Sequence, residues 1–545
     1  MGKPKKLDDK ADPPISRATG IPSSTHAMRT IIVLVAVLLP VGMVLPVAGS
    51  EPVKKNIVFL LTDDQRDNTF SGMGHPWVKT PHVDRLMRQA VRFSNAYIAE
   101  PTCSPSRVSI LTGMHERVHG IGFTSSYKLN ERQWETTYPA LLRDHGYHVG
   151  FIGKIGIEYY TFRNRVADKF DFWRGHNGWA KFFHRTASNC DMYRRCEADI
   201  ITPAMGECID DFFNGIPVDK PFCLSVSFSV PHGSQTKSMY PNIPAARDMM
   251  IPAGDNPKLK DHPIYGNLYR DLKIDIPVET GSDPYRFIPK RVMDQSKGRA
   301  SRTYKYDYDP VSCKEHHVRY YQQITGLDRE IGELVETLKR KRLWRNTVII
   351  FASDHGLLMG EYGMGGKALL YDLASKIPCF IYSPDMKDSV RGTTCDKLVS
   401  SLDFATTILD YAGIEPPQHM AGRSLRMLID NPSTQWRTEL FLENLYTGRD
   451  TPFSEGIRQG DWKYIRMFDG VVDYGEGDVN FAGRKPDFEQ LFNLKEDPRE
   501  TVNLIDKYEG SELLKKLRHK VATHSETLNR QRDVYKKAVS ATARR

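Results

Sequence analysis

The segment Asn56-Ile-Val-Phe-Leu-Leu-Thr-Asp-Asp64 gives the first indication of the fold of this 545-residue chain. Its β-branched, aromatic and aliphatic residues form a continuous apolar run, which is typical of a strand buried on both faces of a sheet. Similar runs predict strands at 56–61, 149–152, 222–228, 347–351 and 379–382. Helices are predicted after Thr80-Pro81 and at 105–112, 317–341 and 403–411. Strands that alternate with helices predict an α/β fold in which helices cover both faces of one sheet.

Polar residues follow the ends of several predicted strands. Asp63 and Asp64 follow the first strand, His232 follows the strand at 222–228, and Asp354 and His355 follow the strand at 347–351. Ligands of open α/β sheets bind at the carboxyl ends of the strands. We therefore predict that these five residues belong to one site.

Composition excludes several classes of protein. Hydrophobic residues make up 40% of the chain, charged residues 26%, and there are eight cysteines. These values do not fit a collagenous, low-complexity, disulfide-stapled or multi-span membrane protein. We predict a large α/β domain at 51–415 with an insertion at 231–315, followed by a smaller antiparallel subdomain at 416–545. Short strands at 439–445 and 462–467 and a basic terminal helix at 511–540 define that subdomain.

Residues 1–50 are predicted to be an N-terminal extension that ends in a signal peptide. An apolar run at 31–48 follows Arg29 and ends near Ala48 and Ser50, small residues that suit cleavage. Pro40 and Pro46 disfavour a membrane-spanning helix, although an uncleaved anchor stays an alternative. Cleavage would reduce the net charge from +9 to +6, since the segment holds six Lys and Arg and three Asp. This modest bias does not indicate nucleic-acid binding, but it is compatible with anionic substrates.

The cysteines and one basic segment carry further expectations. An exported chain can form disulfides, so Cys190, Cys196 and Cys208 predict one local bridge, whereas Cys223 and Cys379 are interpreted as buried thiols. Residues 286–305 contain seven Lys and Arg and only one acidic residue. They form either a solvated loop or a basic lid over a polyanionic substrate.

Cys103 has a local sequence that suits chemistry. It precedes Pro105, a residue favoured in the first turn of a helix, so the thiol is placed at a helix N-terminus. Exposed N–H groups, the helix dipole and the nearby Arg107 favour negative charge there. The residues alone indicate either a nucleophile of low pKa or an anion site, and a structural thiol is the alternative.

Cys103-x-Pro105-x-Arg107, followed by Leu111-Thr112-Gly113, resembles the signature of the type I sulfatases. The resemblance extends over most of the chain and is closest to the iduronate and glucosamine sulfatase-like carbohydrate sulfatases. It includes Asp63-Asp64, Gly153-Lys154, Pro231-His232, Ser353-Asp354-His355-Gly356, Gly366-Lys367 and the segment that starts at Leu491. It implies an alkaline-phosphatase-like α/β sandwich with a large central mixed sheet and a smaller C-terminal antiparallel subdomain.

The resemblance also implies a reaction and its residues. A formylglycine-generating enzyme would convert Cys103 to formylglycine, whose hydrate attacks the sulfur of a sulfate ester or N-sulfate on a carbohydrate. One Ca²⁺ would be held by Asp63, Asp64, residue 103, Asp354 and His355, although imidazole is an unusual Ca²⁺ ligand. Arg107, Lys154 and Lys367 would neutralise the sulfate oxygens, and His232 would protonate or bind the leaving alcohol.

One departure from the family pattern leaves alternatives open. Sulfatases usually have a histidine two or three residues after the lysine of the Gly-Lys pair, and none follows Lys154 here. Glu158 and His119 are candidate substitutes. A phosphonate or phosphodiester hydrolase on the same scaffold is one alternative function. A non-catalytic binder of sulfated glycans is another, suggested by the missing histidine and by the basic run.

Overall fold

A computed structural model describes residues 54–123, 125–158, 165–178, 180, 182, 192–232, 262–293, 310–445, 451–468 and 479–541. The predicted signal peptide, Cys190 and most of the predicted insertion, including its basic residues after position 293, lie outside the described residues. Within the described ranges, none of the helices combines the length and the apolar character that a bilayer span requires.

An eight-stranded mixed sheet forms the centre of the described structure. Its strands lie in the order β10-β2-β9-β6-β1-β5-β3-β4, and β9 runs antiparallel to its two neighbours. The strands are β1 Asn56–Asp63, β2 Val91–Tyr97, β3 His148–Lys154, β4 Phe172–His176, β5 Phe222–Pro231, β6 Thr347–Ser353, β9 Phe380–Tyr382 and β10 Thr394–Ser400. A separate two-stranded ladder pairs β7 Leu358–Met359 with β8 Gly365–Gly366.

Strand β1 explains why its apolar run is continuous. Ile57, Phe59 and Leu61 pack into one hydrophobic cluster, whereas Val58 and Leu60 pack into a second cluster. Alternate side chains of a strand point to opposite faces, so both faces of the sheet are buried. The described helices are Pro81–Met87, Cys103–Thr112, Glu116–His119, Glu131–Glu135, Tyr138–Asp144, Ile201–Gly215, Lys290–Met293, Pro310–Arg340, Asp372–Ser375, Asp403–Tyr411, Arg426–Asp430 and Glu512–Ala541.

The C-terminal part contains a second, antiparallel sheet. Its order is β11 Glu439–Asn444, β12 Phe453–Gln459, β13 Trp462–Phe468 and β14 Phe488–Asn493. The terminal helix Glu512–Ala541 packs on this sheet through Leu514, Leu517 and Val521. The predicted fold class, a large helix-flanked mixed sheet with a small antiparallel C-terminal subdomain, is confirmed.

The structure changes some details of the sequence predictions. The helix predicted at 317–341 begins earlier, at Pro310, so it takes up the last residues assigned to the insertion. Its His316 and His317 are buried and pack against tyrosines of the next turn. Cys223 and Cys379 are fully buried, as predicted. The Sγ atoms of Cys196 and Cys208 lie 3.8 Å apart, which is too far for a bond between them.

A buried charge network joins the C-terminal sheet to the large domain. The side chain of Arg117 is fully buried and lies 2.5 Å from Glu455 Oε1 and 3.0 Å from Glu443 Oε2. Its Nη1 also donates to Ser525 Oγ of the terminal helix at 2.7 Å. One guanidinium therefore ties together a short helix of the large domain, two strands of the second sheet and the terminal helix.

Replacing Arg117 with methionine should destabilise the protein by about 3–5 kcal/mol, because it leaves the buried Glu443 without its arginine partner and leaves Glu455 paired with Arg466 alone. Urea unfolding followed by circular dichroism measures the change. The matched control is Lys515→Met, which breaks an exposed ion pair with Glu512 and should change stability by less than about 0.5 kcal/mol. Equal stability of the Arg117 variant and the wild type would show that the network contributes no net stability.

Candidate active site

The ends of four parallel strands bring the predicted site residues together. Asp63 ends β1 and is paired with Pro231 of β5, so His232 follows directly beside it. His232 N donates to Asp63 O at 3.0 Å. Asp354 N, just beyond β6, donates to Thr62 O at 3.0 Å. The register of the sheet therefore brings together the polar residues that follow the predicted strands.

Cys103 is the first residue of the helix Cys103–Thr112 and is 4% exposed. Its Sγ lies 2.8 Å from Lys367 Nζ and 3.2 Å from His355 Nε2. Burial alone would raise the pKa of this thiol, but the charges of Lys154 and Lys367 lower it below its usual value. The expected low-pKa position at a helix N-terminus is thus present in the fold.

The carboxylates around Cys103 form a group that could hold a metal ion. Ligand atoms of Asp63, Cys103, Asp354 and His355 all lie within 4.8 Å of one another and are buried. Asp63 Oδ1 and Asp64 Oδ2 are buried and form no hydrogen bond with the described residues. Unsatisfied buried carboxylate oxygens are costly unless a cation binds them. Hard oxygen donors of this kind fit a hard divalent ion.

His355 lies inside this group. Its Nδ1 is 2.9 Å from Gly356 O and 3.3 Å from Asp64 Oδ1, and its Nε2 is 3.5 Å from Asp354 Oδ1. Burial disfavours a charged ring, but Asp354 and Cys103 raise the pKa of His355 above its usual value. The tautomer with hydrogen on Nδ1 would donate to Gly356 and leave Nε2 free to face a cation.

Arg107 supports the carboxylates from within the helix that starts at Cys103. Its Nε donates to Asp354 Oδ2 at 2.8 Å, and its Nη1 donates to Lys154 O at 2.5 Å. Gly156 has φ of +82°, and a Cβ there would lie 2.4 Å from Arg107 Cδ. A glycine at this position therefore lets the backbone pass close to the arginine.

Two buried lysines flank the group. Lys154 Nζ is 2.6 Å from Asp63 Oδ2, and Lys367 Nζ is 2.6 Å from Asp64 Oδ1. Burial alone would raise the pKa of Asp63, but Lys154 and other cations hold it well below its usual value. The residue before Lys154 must be glycine: Gly153 has φ of +94°, and a Cβ there would meet Ser227 O at 1.9 Å. Both lysines therefore point into the same buried site.

His232 lies at the edge of the site and is more accessible than the other members. Its side chain is 14% exposed, and its Nε2 is 3.7 Å from Asp64 Oδ2. Burial lowers the pKa of His232 to about 4, so the ring is neutral at pH 7. It can then form hydrogen bonds to a neutral partner without carrying a permanent charge.

The two weak candidates for the missing histidine have other partners. His119 Nε2 is 2.9 Å from Ser109 Oγ in the core, and Glu158 accepts a hydrogen bond from Asn177. The structure instead places His176, the last residue of β4, directly beside Lys154 in parallel register. Neither β4 nor this histidine was predicted from the sequence, although the aromatic residues Phe170, Phe172 and Trp173 are typical of a strand.

Comparison with known proteins places the chain among sulfatases. The sequence model of the sulfatase family matches residues 55–414, and the one described as N-sulphoglucosamine sulphohydrolase, C-terminal, matches residues 360–527. An arylsulfatase of Clostridium perfringens is 26% identical over 504 residues, which cover 85% of this chain and 93% of the relative. An N-acetylglucosamine-6-O-sulfatase of Bacteroides thetaiotaomicron is 25% identical over 525 residues, 88% of each chain.

Solved structures share the fold. One, a complex with its substrate D-glucosamine-2-N,6-O-disulfate, superposes with a TM-score of 0.61 at 22% identity and covers 89% of this chain and all of that chain. A phosphonate monoester hydrolase of Agrobacterium radiobacter has a TM-score of 0.61 at 19% identity and covers 88% and 96%. From the family match, which spans all eight described strands of the large sheet and every predicted site residue, we conclude that the chain belongs to the sulfatase family and is a sulfatase.

Proposed function

We propose that this protein releases sulfate from a sulfated carbohydrate, as an O-sulfate or N-sulfate, at a site built on residue 103. The observation that carries the proposal is the buried arrangement of Cys103 between Lys367 and His355, next to carboxylate oxygens that lack hydrogen bonds. It offers one place for a cation and one for an anion. A protein that holds a sulfate group with a metal ion and two lysines needs both a cation site and an anion site.

Two groups complete this proposed site. One Ca²⁺, held by Asp63, Asp64, Asp354, residue 103 and His355, would supply positive charge that activates an oxygen ligand and stabilises developing negative charge. Formylglycine at position 103, made by a formylglycine-generating enzyme, would supply the hydrated aldehyde that acts as the nucleophile. The unsatisfied carboxylate oxygens support the first assignment, and the buried low-pKa position of Cys103 at a helix N-terminus supports the second.

The side chains of the chain itself would then bind and orient the substrate. Lys154 and Lys367 are fixed by Asp63 and Asp64, so their charges need little reorganisation when a sulfate group enters. Arg107 holds Asp354 in place and adds a third positive charge. His232, which is neutral at pH 7, would hydrogen-bond the oxygen of the leaving alcohol from the edge of the site.

Relatives support a carbohydrate as the substrate class. Two of them are named for N-acetylglucosamine sulfate, one from Bacteroides thetaiotaomicron and one from Homo sapiens. The C-terminal family match, described as N-sulphoglucosamine sulphohydrolase, agrees with an amino sugar. The exposed Arg286, Lys290 and Arg291 stand on a segment whose Ile288 and Val292 pack in the cluster around Leu370, close in sequence to Lys367. This supports the basic-lid interpretation of that segment.

The decisive experiment is a sulfate-release screen on defined sulfated mono- and oligosaccharides, with residue 103 checked by mass spectrometry. We expect release of inorganic sulfate from at least one glucosamine sulfate. Turnover of aryl sulfate and of an aryl phosphodiester should be measured in parallel, because the fold is shared with a phosphonate monoester hydrolase. A clear preference for the phosphodiester, or glycan binding without turnover by fully converted protein, would contradict the proposal.

Export of the mature protein is part of the same proposal. The apolar run at 31–48 and the small residues Ala48 and Ser50 support cleavage of a signal peptide. Sequencing the N-terminus of the protein secreted from its host would locate the cleavage site. An intact segment 1–50 on membrane-bound protein would instead support the anchor.

Calcium binding can be tested without substrate. Ca²⁺ at about 100 times its Kd should stabilise the fold by about 2.7 kcal/mol, seen as a rise in Tm. Asp63→Asn should lose most of this stabilisation, because it removes a carboxylate that faces the ion. Asp385→Asn, at an exposed ion pair with Lys55, is the matched control and should keep it. Equal Ca²⁺ stabilisation of the wild type and the Asp63 variant would remove Asp63 from the metal site.

A further inference from the structure

His176 lies directly beside the Gly153-Lys154 segment in the folded chain. Lys154 and His176 are paired residues of the parallel strands β3 and β4, so their side chains leave the sheet on the same face. Ile155 N also donates to His176 O at 3.0 Å. The histidine therefore stands beside Lys154 at the carboxyl end of the sheet, where the other site residues lie.

The ring of His176 is held firmly. Its Nε2 lies 2.9 Å from Ser229 Oγ of β5, and its ring packs edge-on against Tyr193 at a centroid distance of 5.9 Å. The side chain is 2% exposed. Asn177, the next residue, donates to Glu158 and so ties the loop after β4 to the loop after β3. Three strands and two loops fix the orientation of this imidazole.

Two side-chain nitrogen atoms near Lys154 could bind a ligand at this edge of the site. His176 Nδ1 and Arg107 Nη2 are buried and form no hydrogen bond of normal geometry with the described residues. Leaving such buried groups without a partner is unfavourable. The unsatisfied oxygens of Asp63 and Asp64 suit a cation, whereas these nitrogen atoms suit an anion.

The surroundings keep the ring neutral and favour an anion beside it. Burial and the charge of Lys154 lower the pKa of His176 to about 3, and Arg107 acts in the same direction, while the Asn177 backbone and Asp63 raise it. If Ser229 Oγ donates to Nε2, the neutral ring carries its hydrogen on Nδ1. That N–H is then a donor next to two cationic side chains.

We propose that His176 replaces the histidine missing after Lys154, and that its Nδ1 hydrogen-bonds the sulfate group of the bound substrate. This inference rests on the proposed sulfate-releasing function. It adds a substrate-binding residue from a different strand, and it explains how the segment Lys154-Ile155-Gly156 functions without its own imidazole.

The test distinguishes the roles of the two nitrogen atoms of the His176 ring. His176→Gln can keep a hydrogen bond to Ser229 because its amide reaches the position of Nε2, but it lacks an atom equivalent to Nδ1. Binding of inorganic sulfate is measured by calorimetry in Ca²⁺-containing buffer, in a Cys103→Ala background that cannot turn over. We expect affinity to fall at least fivefold. His148→Gln, at the opposite end of β3, is the matched control and should bind sulfate like the parent.

A second measurement uses the active enzyme. His176→Ala should lower kcat/KM about tenfold or more, and added imidazole should restore part of it, because the small side chain leaves room for the ring. Sulfate affinity within twofold of the parent for His176→Gln would overturn the inference. The inference would also be overturned if imidazole fails to raise the activity of a folded His176→Ala protein.

The inference about His176 and the proposed function can fail independently of each other. A wild type that releases no sulfate from any ester would overturn the proposed function, while the calorimetric measurement would still decide the role of His176. If His176→Gln does not fold, Ser229→Ala is used instead, since it keeps the imidazole and removes its anchor. Unchanged sulfate affinity of Ser229→Ala would then overturn the inference.

Discussion

Cys103→Ala is expected to abolish sulfate release and to leave the fold intact. The thiol is buried, and its Sγ is in contact with Lys367 Nζ at 2.8 Å and His355 Nε2 at 3.2 Å. Alanine cannot be converted to formylglycine, so the proposed nucleophile is lost, whereas removal of one sulfur atom changes the packing little. Turnover of the best sulfated sugar and the circular dichroism spectrum measure the two effects.

The matched control for this variant is Cys223→Ala. Cys223 is also fully buried, but it lies near the amino end of β5 in the core cluster, away from the carboxyl end where the site residues gather. Its replacement should lower stability modestly, through a small cavity, and leave the rate unchanged. Retained hydrolysis by Cys103→Ala would show that residue 103 is not the nucleophile.

Lys367→Ala is expected to lower kcat/KM about 100-fold or more. The ammonium group lies between Asp64 and residue 103 and is 5% exposed, so its charge acts in a site with little screening by water. Removing one such preorganised charge from a transition state costs a rate factor of this order. Initial rates over a range of substrate concentrations would separate kcat from KM.

Lys376→Ala is the control for charge alone. Lys376 lies nine positions after Lys367 in the chain, is partly exposed and forms an ion pair with Asp67 at 3.0 Å. Its loss should change kcat/KM by less than about threefold. If Lys367→Ala also stays within threefold of the wild type, Lys367 does not belong to the catalytic site.

Five of the eight described strands of the large sheet were predictable because each is a buried apolar run, whereas β2, β4 and β10 were not predicted. The run 56–61 became β1, and Asp403–Tyr411 became a helix with the predicted bounds. β4 was missed because Phe172–His176 mixes aromatic, charged and glycine residues at the edge of the sheet, where only one neighbouring strand constrains them. The start of the helix Pro310–Arg340 was missed because its first turns carry polar and charged residues.

Short sequence motifs are enough to identify the family and to name the candidate site residues: Cys103-x-Pro105-x-Arg107, the carboxylates after β1 and β6, and the two lysines. Which groups are neighbours at the edges of the site depends on the tertiary structure. Lys154 and His176 are adjacent because β3 and β4 pair in parallel, and Lys367 reaches Cys103 from a distant loop. Strand pairing and packing connect residues far apart in the chain, and no local pattern encodes that proximity.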